Sequence, residues 1–390
     1  MSTIQEISQE TISLAKTLRC PHCNKEYDIH ALQSFATCCN QPLITEYDDE
    51  PFLKESLKDR PLTMWRYAEL LPVFDEKNIV SLGEGWTPIH ALNKLAEKNS
   101  MGSILMKDES INPTGSFKAR GISMAISKAK EFGIENVVIP TAGNAGGAMA
   151  AYCAKADIKA TVIMPRHTTE TLKEECRLFG AELILLDGLI DTCGKLAKQL
   201  SEEKDYFDMS TMKEPYRLEG KKTLGFEIAE QLNWHLPDVI IYPTGGGTGL
   251  IGMWKAFKEM KKLGWVKGRL PKMVIVQSEN CAPMMEIFKT GAIPNNFNPQ
   301  PSLAYGLAVP FPFAKELMMQ VIQESRGTVI TVSEDDIQQG IREVASREGM
   351  LLSPEGSATY VGMQKLLRNE WIKEDETVLL FNTGSWYKYR

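Results

Sequence analysis

Val239-Ile240-Ile241-Tyr242-Pro243-Thr244-Gly245-Gly246-Gly247-Thr248-Gly249 begins as an apolar, β-branched run and ends in glycines. The run is too short for a helix and does not alternate with polar residues, so it reads as a strand buried on both faces. A helical pattern opens at Leu250, which places the glycines at a strand-to-helix turn. Consecutive glycines leave backbone N–H groups uncovered, and a helix start adds positive potential; together they cradle a phosphate. No Gly-Lys-Ser/Thr follows, so the loop is not a P-loop. Gly247-Thr248-Gly249-Leu250-Ile251-Gly252 is also a literal GxGxxG, with Glu279 after the next strand, so dinucleotide binding ranks second. A tight turn that only needs small residues ranks third.

The same design recurs at Val137-Val138-Ile139-Pro140-Thr141-Ala142-Gly143 and at Val378-Leu379-Leu380-Phe381-Asn382-Thr383-Gly384. Further short apolar runs lie at 104–107, 160–164, 182–186, 274–276 and 329–332, separated by helical periods. Strands of this kind between helices predict an α/β fold with parallel sheets covered on both faces. Ligands in such sheets sit at the carboxyl ends of strands. Three ends carrying Thr and Gly, or Asn and Gly, predict one site assembled from distant segments.

A lysine completes that site. In Asn112-Pro113-Thr114-Gly115-Ser116-Phe117-Lys118-Ala119-Arg120-Gly121, Pro113 and Gly115 mark a turn. Ile122, Ala125, Ile126 and Ala129 then share one helical face, so Ser116 reads as an N-cap and Lys118 falls in the first turn. The positive end of the helix disfavours the ammonium there and favours the neutral amine. A neutral lysine amine is a nucleophile whose main use is a Schiff base with a carbonyl. A solvated surface lysine is the alternative for the stretch alone; the glycine loops favour catalysis.

Other candidates are weaker in isolation. Asn144, in Gly143-Asn144-Ala145-Gly146-Gly147, can donate to an oxyanion, or simply tolerate a left-handed turn. Thr383 can offer a neutral hydroxyl to a ring nitrogen, or cap a strand end. The loop Asp208-Met209-Ser210-Thr211-Met212-Lys213-Glu214-Pro215-Tyr216-Arg217 can line an anion pocket through Lys213 and Arg217, or serve as a solvated connector. Ser353-Pro354-Glu355-Gly356 reads as a helix start in which Glu355 has a structural use.

The chain of 390 residues is long enough for two or three domains, and its net charge of −6 offers no basic field for nucleic acid. No apolar run reaches membrane-spanning length, and the start Met1-Ser2-Thr3-Ile4-Gln5-Glu6 resembles no targeting signal, so the cytoplasm is expected. Cys153, Cys176, Cys193 and Cys281 sit in apolar stretches and read as small buried hydrophobes. Residues 1–50 read as a separate unit closed by Asp48-Asp49-Glu50-Pro51. It carries a Cys20-Pro21-His22-Cys23 knuckle and an adjacent pair, Cys38-Cys39, which strains one tetrahedral site. A ribbon without metal is therefore preferred; Cys20, Cys23 and one of Cys38 or Cys39, with His22 or His30, are the alternative ligand set.

In this order, the Asn-Pro-Thr-Gly-Ser-Phe-Lys lysine, the Gly-Asn-Ala-Gly-Gly loop, the Thr-Gly-Gly-Gly-Thr-Gly loop and the terminal Asn-Thr-Gly resemble the fold-type II pyridoxal-phosphate enzymes. Within them the chain resembles the threonine synthase group, from about Gly83 to Tyr389. The resemblance implies that Lys118 is the Schiff-base lysine and that Asn144 contacts the ring 3′-oxygen. It implies that Gly245, Gly246, Gly247, Thr248 and Gly249 hold the cofactor phosphate and that Thr383 contacts the pyridine nitrogen. Ser210, Pro215, Arg217 and Leu218-Glu219-Gly220 match the segment with which relatives grip a substrate phosphate, and Thr211 and Lys213 stand beside them. Ala145, Ala308 and Trp386-Tyr387 depart from the usual threonine, arginine and Gly-Leu.

The implied enzyme is a lyase that converts O-phosphohomoserine and water to threonine and phosphate. The implied fold is a large domain of residues 51–125 and 212–390, with a smaller α/β domain of 126–211 inserted and a ribbon-like extension at 1–50. A homodimer acting on a small amino acid, with no metal in the site, completes the expectation. Threonine or serine dehydration, or another β-elimination or β-replacement, is the main alternative. An NAD-dependent oxidoreductase would leave Lys118, Asn144 and Thr383 idle, and a non-catalytic binding protein would leave them without turnover.

Overall fold

The computed structural model describes residues 11–48, 50, 52–188 and 190–390. Met1–Glu6, and Asp49 and Pro51 of the expected boundary, lie outside the described residues. The first unit is a three-stranded antiparallel ribbon in which β1 (Ala15–Arg19) lies between β2 (Glu26–Tyr27) and β3 (Ile44–Tyr47). Leu18, Cys20, Ile29, Ala36 and Leu43 form its small core. Among the bonds that fasten it to the body, Ser13 Oγ donates to the Leu71 carbonyl at 2.6 Å, Leu14 N–H donates to the Glu69 carbonyl at 2.9 Å, and the Tyr47 hydroxyl donates to Glu219 at 2.7 Å.

The body starts with β4 (Ile89–Ala91), α1 (Asn93–Lys98), β5 (Ser103–Asp108) and the lysine helix α2 (Lys118–Glu131). A four-stranded parallel sheet follows, ordered β8-β7-β6-β9. It is built from β6 (Asn136–Pro140), α3 (Ala145–Ala156), β7 (Lys159–Pro165), α4 (Glu170–Leu178), β8 (Glu182–Leu186), α5 (Ile190–Glu203) and β9 (Phe207–Asp208). The chain then returns through α6 (Tyr216–Gln231), β10 (Val239–Pro243), α7 (Thr248–Lys262), β11 (Lys272–Ser278), α8 (Pro283–Thr290) and α9 (Lys315–Glu324). It closes with β12 (Thr328–Val332), α10 (Glu334–Glu348), α11 (Pro354–Arg368) and β13 (Thr377–Asn382).

These strands form a six-stranded sheet ordered β12-β11-β10-β13-β5-β4, parallel except for the β4 edge. Every apolar run named from the sequence lies in a strand of one or the other of these two sheets. The last strand, β13, inserts between β10 and β5, pairing Val239 with Val378 and Asn382 with Asp108. That order sets the glycine turn after β10 beside Thr383 after β13.

Helix α6 is buried around most of its circumference, charged residues included. Two glycines bring its neighbours close. A Cβ at Gly220 would lie 2.2 Å from the Arg120 carbonyl oxygen of α2, and one at Gly252 would lie 2.9 Å from the Lys222 nitrogen. The final glycine of the GxGxxG is therefore a helix–helix contact inside α7. Glu279, the acid that a dinucleotide ribose would need, pairs with Lys365 at 3.2 Å.

Candidate active site

Lys118 is the first residue of α2, and the helix begins one residue later than an N-cap at Ser116 requires. Phe117 takes the cap position without a side-chain cap bond; the Ser116 hydroxyl reaches only the Lys118 N–H, at 3.4 Å. What fixes the turn is the end of β13. The Phe117 N–H donates to the Thr383 carbonyl at 3.0 Å, Ser385 N–H donates to the Gly115 carbonyl at 2.8 Å, and Ser116 bridges Gly384. The lysine and Thr383, far apart in sequence, are thus backbone neighbours. Thr383 is buried, and among the described residues its hydroxyl has no hydrogen-bond partner.

Asn144 ends the turn after β6 and caps α3, but its side chain makes no cap bond. Its Nδ2 donates to the Tyr389 hydroxyl at 3.3 Å, while its Oδ1 is buried without a partner. A Cβ at Gly384 would lie 3.1 Å from that Nδ2, so this glycine admits Asn144 to the lysine turn. The Tyr389 hydroxyl lies close to Glu355, whose Oε1 accepts the Gly306 N–H at 2.7 Å. The Gly306 carbonyl oxygen would be 2.2 Å from a Cβ at Gly245. Thr211 packs on the next glycine, 2.6 Å from a Cβ at Gly246.

The helix after the glycine loop opens at Thr248, not Leu250. Gly247 turns the chain with φ +85°, a conformation that disfavours any side chain, and it too leaves the helix uncapped. The starts of α2, α3 and α7 all lack side-chain caps, as do those of α1, α4, α6, α8 and α9, whereas Ser333 caps α10 and Ser353 caps α11. Uncapped starts leave N–H donors and positive potential for a ligand.

Arg217 lies near the start of α6 and is buried. Its Nη1 donates to the Met209 carbonyl at 2.7 Å, its Nε has no partner, and Glu214 stays 3.9 Å away. Glu214 spends its other oxygen on the N–H groups of Tyr216 and Arg217, at 2.8 and 2.9 Å. The rest of the loop is mixed. Ser210 turns its hydroxyl to Asp208 at 2.5 Å, Thr211 is exposed, and the Lys213 ammonium has no partner among the described residues. Met212 holds φ +66° between them, a strained conformation for a buried side chain.

Burial first, and then the nearby Arg217 charge, push the Lys118 amine down to about 8, against the opposing charge of Glu355. Lys221 was not singled out from the sequence, yet it stands one helical turn from Arg217 and belongs to the same cluster. It donates to the Phe117 carbonyl and lies 3.9 Å from the Phe117 ring, over which Lys118 also sits, at 4.3 Å. Burial, then Lys118 and Arg217, hold its amine well below the usual lysine range. Burial likewise raises Glu355, and it raises Glu214 to about 8 despite the Arg217 charge.

Glu355, Tyr389 and Lys221 are the residues that sequence reasoning missed. Only Lys221 had a readable signal, its i, i+4 spacing from Arg217. A cleft of 470 Å³ between the ribbon and α7 and α9 is lined by none of these residues.

The donor set fits pyridoxal phosphate. A half-buried lysine amine without a hydrogen-bond partner faces a carbonyl chemistry. The Asn144 amide nitrogen, which spends one N–H on Tyr389, keeps a second for an oxyanion, the Thr383 hydroxyl can donate to a ring nitrogen, and the uncapped α7 start suits a phosphate.

Relatives agree. Residues 80–384 match the family of pyridoxal-phosphate dependent enzymes. The chain is 34% identical over 375 residues to a threonine synthase of Methanocaldococcus jannaschii, covering 94% of this chain and 91% of that protein. It is 34% identical over 372 residues to a threonine synthase of Methanosarcina acetivorans, with the same coverage of 94% and 91%. In fold it is similar to the processed form of threonine deaminase isoform 2 from Solanum lycopersicum, with a TM-score of 0.67, 21% identity, and coverage of 83% of this chain and 91% of that one. The chain belongs to the threonine synthase family of pyridoxal-phosphate-dependent enzymes.

Proposed function

We propose that this lyase converts O-phosphohomoserine and water to threonine and phosphate, by elimination at the γ carbon and addition of water at the β carbon. One observation carries the choice of substrate: Arg217, buried and with no hydrogen-bond partner on its Nε, offers a second anion site beside Lys118. A dianionic phosphate in a closing cleft needs charge-assisted donors, and guanidinium is the best fork for it. Serine or threonine dehydration would use Lys118 and the glycine loop but give Arg217 nothing to hold.

Pyridoxal phosphate, when bound, supplies the electron sink for carbanions next to the amino group. In this reading Gly245, Gly246, Gly247, Thr248 and Gly249 hold its phosphate, Asn144 its 3′-oxygen and Thr383 its ring nitrogen. Lys118 holds the cofactor at rest. Its amine, once freed, moves protons at the α, β and γ carbons, a task suited to a group titrating near neutrality. Arg217, with Ser210, Thr211 and Lys213, orients the substrate phosphate so that it leaves from the γ carbon. A rotation of the Ser210 hydroxyl away from Asp208 completes that grip.

The same proposal has residues 126–211 act as a smaller unit that closes over the cofactor and excludes water. Asn144 would ride on it, while the glycine loop and Thr383 belong to the six-stranded sheet. No helix among the described residues is long and apolar enough to cross a membrane. A cytoplasmic homodimer is part of the proposal, supported by the exposed Phe288, Leu303, Tyr305 and Phe311 on one stretch of chain.

The deciding assay follows threonine and phosphate formed from O-phosphohomoserine, beside deamination of serine and threonine. Equimolar threonine and phosphate are expected; preferential deamination of the unphosphorylated amino acids would move dehydration ahead.

A further inference from the structure

The ribbon carries a second site, independent of the cofactor. The Sγ atoms of Cys20, Cys23, Cys38 and Cys39 all lie within 4.8 Å of one another. Cys23 and Cys38 are 3.4 Å apart, and none of the four is in a disulfide. Four thiolates around a zinc ion at its usual bond length stand about 3.8 Å from each other, so the cluster is already near ligand spacing.

The backbone explains how an adjacent pair can serve. Two turns of similar build face each other. In the first, Cys20 N–H donates to the Lys25 carbonyl at 2.9 Å, Asn24 N–H returns to the Cys20 carbonyl at 3.0 Å, and Asn24 takes φ +62°. In the second, Ala36 N–H donates to the Gln41 carbonyl at 2.8 Å, Gln41 N–H returns to the Ala36 carbonyl at 3.3 Å, and Asn40 takes φ +51°. Cys23-Asn24 matches Cys39-Asn40, and Cys20 matches Ala36. The second knuckle therefore lacks a thiol where the first has one, and Cys38 restores the count. Adjacency does not keep the pair apart, as the sequence suggested, because Cys38 comes in from the turn and not from the knuckle's first position. The histidines are not needed: His22 and His30 lie outside the cluster, and the His30 ring packs on Phe74 with centroids 4.6 Å apart.

We propose that Cys20, Cys23, Cys38 and Cys39 bind one structural zinc ion. Soft thiolates in a closed set of four select zinc over harder divalent cations, and no open position remains for substrate. The ribbon has only a handful of buried apolar side chains, too few to hold the loop 28–41 by packing alone. That loop carries Phe35, whose ring packs edge-on against Phe313 at 5.7 Å, so the metal would also fix a contact with the body.

The test uses the full-length holoenzyme, purified with reductant and with zinc in the growth medium. Metal analysis should give about one zinc per chain, and cobalt substitution should give the intense visible bands of tetrahedral thiolate ligation. Cys38→Ser should lose most of the metal. Cys38→Ser combined with Ala36→Cys, which rebuilds a regular second knuckle, should recover it. Loss of metal should lower the melting temperature while turnover per bound cofactor stays within about twofold. Wild-type protein below about 0.1 zinc per chain, iron in its place, a Cys23–Cys38 disulfide in reductant-free protein that zinc does not prevent, or full metal in Cys38→Ser each overturns the proposal.

Discussion

Two buried charge clusters lie on either side of the same few residues of α2, and they are built to opposite rules. Arg120 faces inward. It forks onto Glu109 at 2.7 Å through Nε and Nη2, and onto Glu227 at 2.6 and 2.8 Å. Lys107 adds a bond to Glu227 at 2.6 Å. Two cations meet two carboxylates, all fully buried. Burial works against each charge, but Arg120 and Lys107 outweigh it and hold Glu227 at about 2. Lys118, two residues earlier, faces a cluster of the other kind. Lys118, Lys221 and Arg217 crowd together, Glu214 Oε1 is a loose ion pair 3.9 Å from the Arg217 Nε, and the Arg217 Nε, Glu214 Oε1 and Glu355 Oε2 have no hydrogen-bond partner among the described residues. A buried charge without a partner is costly, so a chain keeps one where a ligand completes it. The satisfied cluster holds α2 in place; the unsatisfied one is the place that waits for anions.

Substitutions on the two sides should therefore fail differently. The largest effect is expected from Lys118→Ala: turnover should fall by about 10³-fold or more, while the apoprotein's urea midpoint at neutral pH is not lowered, because the substitution removes an ammonium that burial disfavours. Borohydride reduction of the wild-type holoenzyme should attach the cofactor to Lys118 in a peptide map, and an adduct on Lys221 instead would exchange their roles. Arg120→Met should do the reverse. Removing one member of the balanced cluster leaves buried carboxylates unpaired and should cost about 3–5 kcal/mol in unfolding of the apoprotein. If Arg120→Met unfolds like the parent, the balanced cluster is not what fixes α2.

Arg217→Ala comes next. It removes a charged hydrogen-bonding partner worth about 1.5–3 kcal/mol, so kcat/KM for O-phosphohomoserine should fall at least about tenfold. Capture of pyridoxal phosphate should survive, because the glycine loop is untouched. Unchanged turnover of O-phosphohomoserine would take the second anion site away from Arg217.

How much of this was legible in the sequence depended on whether the signal was local. The strands were legible, because a short β-branched run has few other uses. So were the glycine loop and Lys118, since each is a local pattern with a physical reason. Glu355 was read as a structural residue of a helix start, and it does occupy that turn. Its place beside Gly306 and Tyr389 follows from how α11 meets the C-terminus, which no local pattern encodes. Lys221 had only its i, i+4 spacing from Arg217 to mark it; the burial of α6 around most of its circumference is what makes it a member of the site. The gathering of Cys38-Cys39 with Cys20 and Cys23 was not legible for the same reason, because the knuckle that positions the adjacent pair is closed by Ala36 and Gln41, not by cysteines.

The smallest expected effect tests the unsatisfied cluster most directly. Lys118 titrates near 8 in the folded chain against 10.5 for a free lysine, first through burial and then through Arg217. The apoprotein's rate of pyridoxal-phosphate capture should therefore rise with pH, reach half its plateau near pH 8, and level off above it. In Arg217→Ala the neighbouring charge is gone, so the amine should hold its proton to higher pH and the midpoint should move up. It should stay below 10.5, because burial, the larger cause, remains. Stability follows the same sign. Between 8 and 10.5 the unfolded chain binds the proton that folded Lys118 has released, so its contribution appears as pH rises through that window and is lost as pH falls through 8. Glu214 opposes it: with its carboxyl raised from 4.5 to about 8, the folded chain holds a proton the unfolded one has lost, and that contribution disappears as pH rises through 8. Glu214→Gln should remove the second slope and leave the first. A capture midpoint near 10 in the parent would mean that Lys118 is an ordinary solvated lysine, and one near 8 that Arg217→Ala leaves in place would mean that burial alone tunes it and the crowding of cations around Phe117 does not.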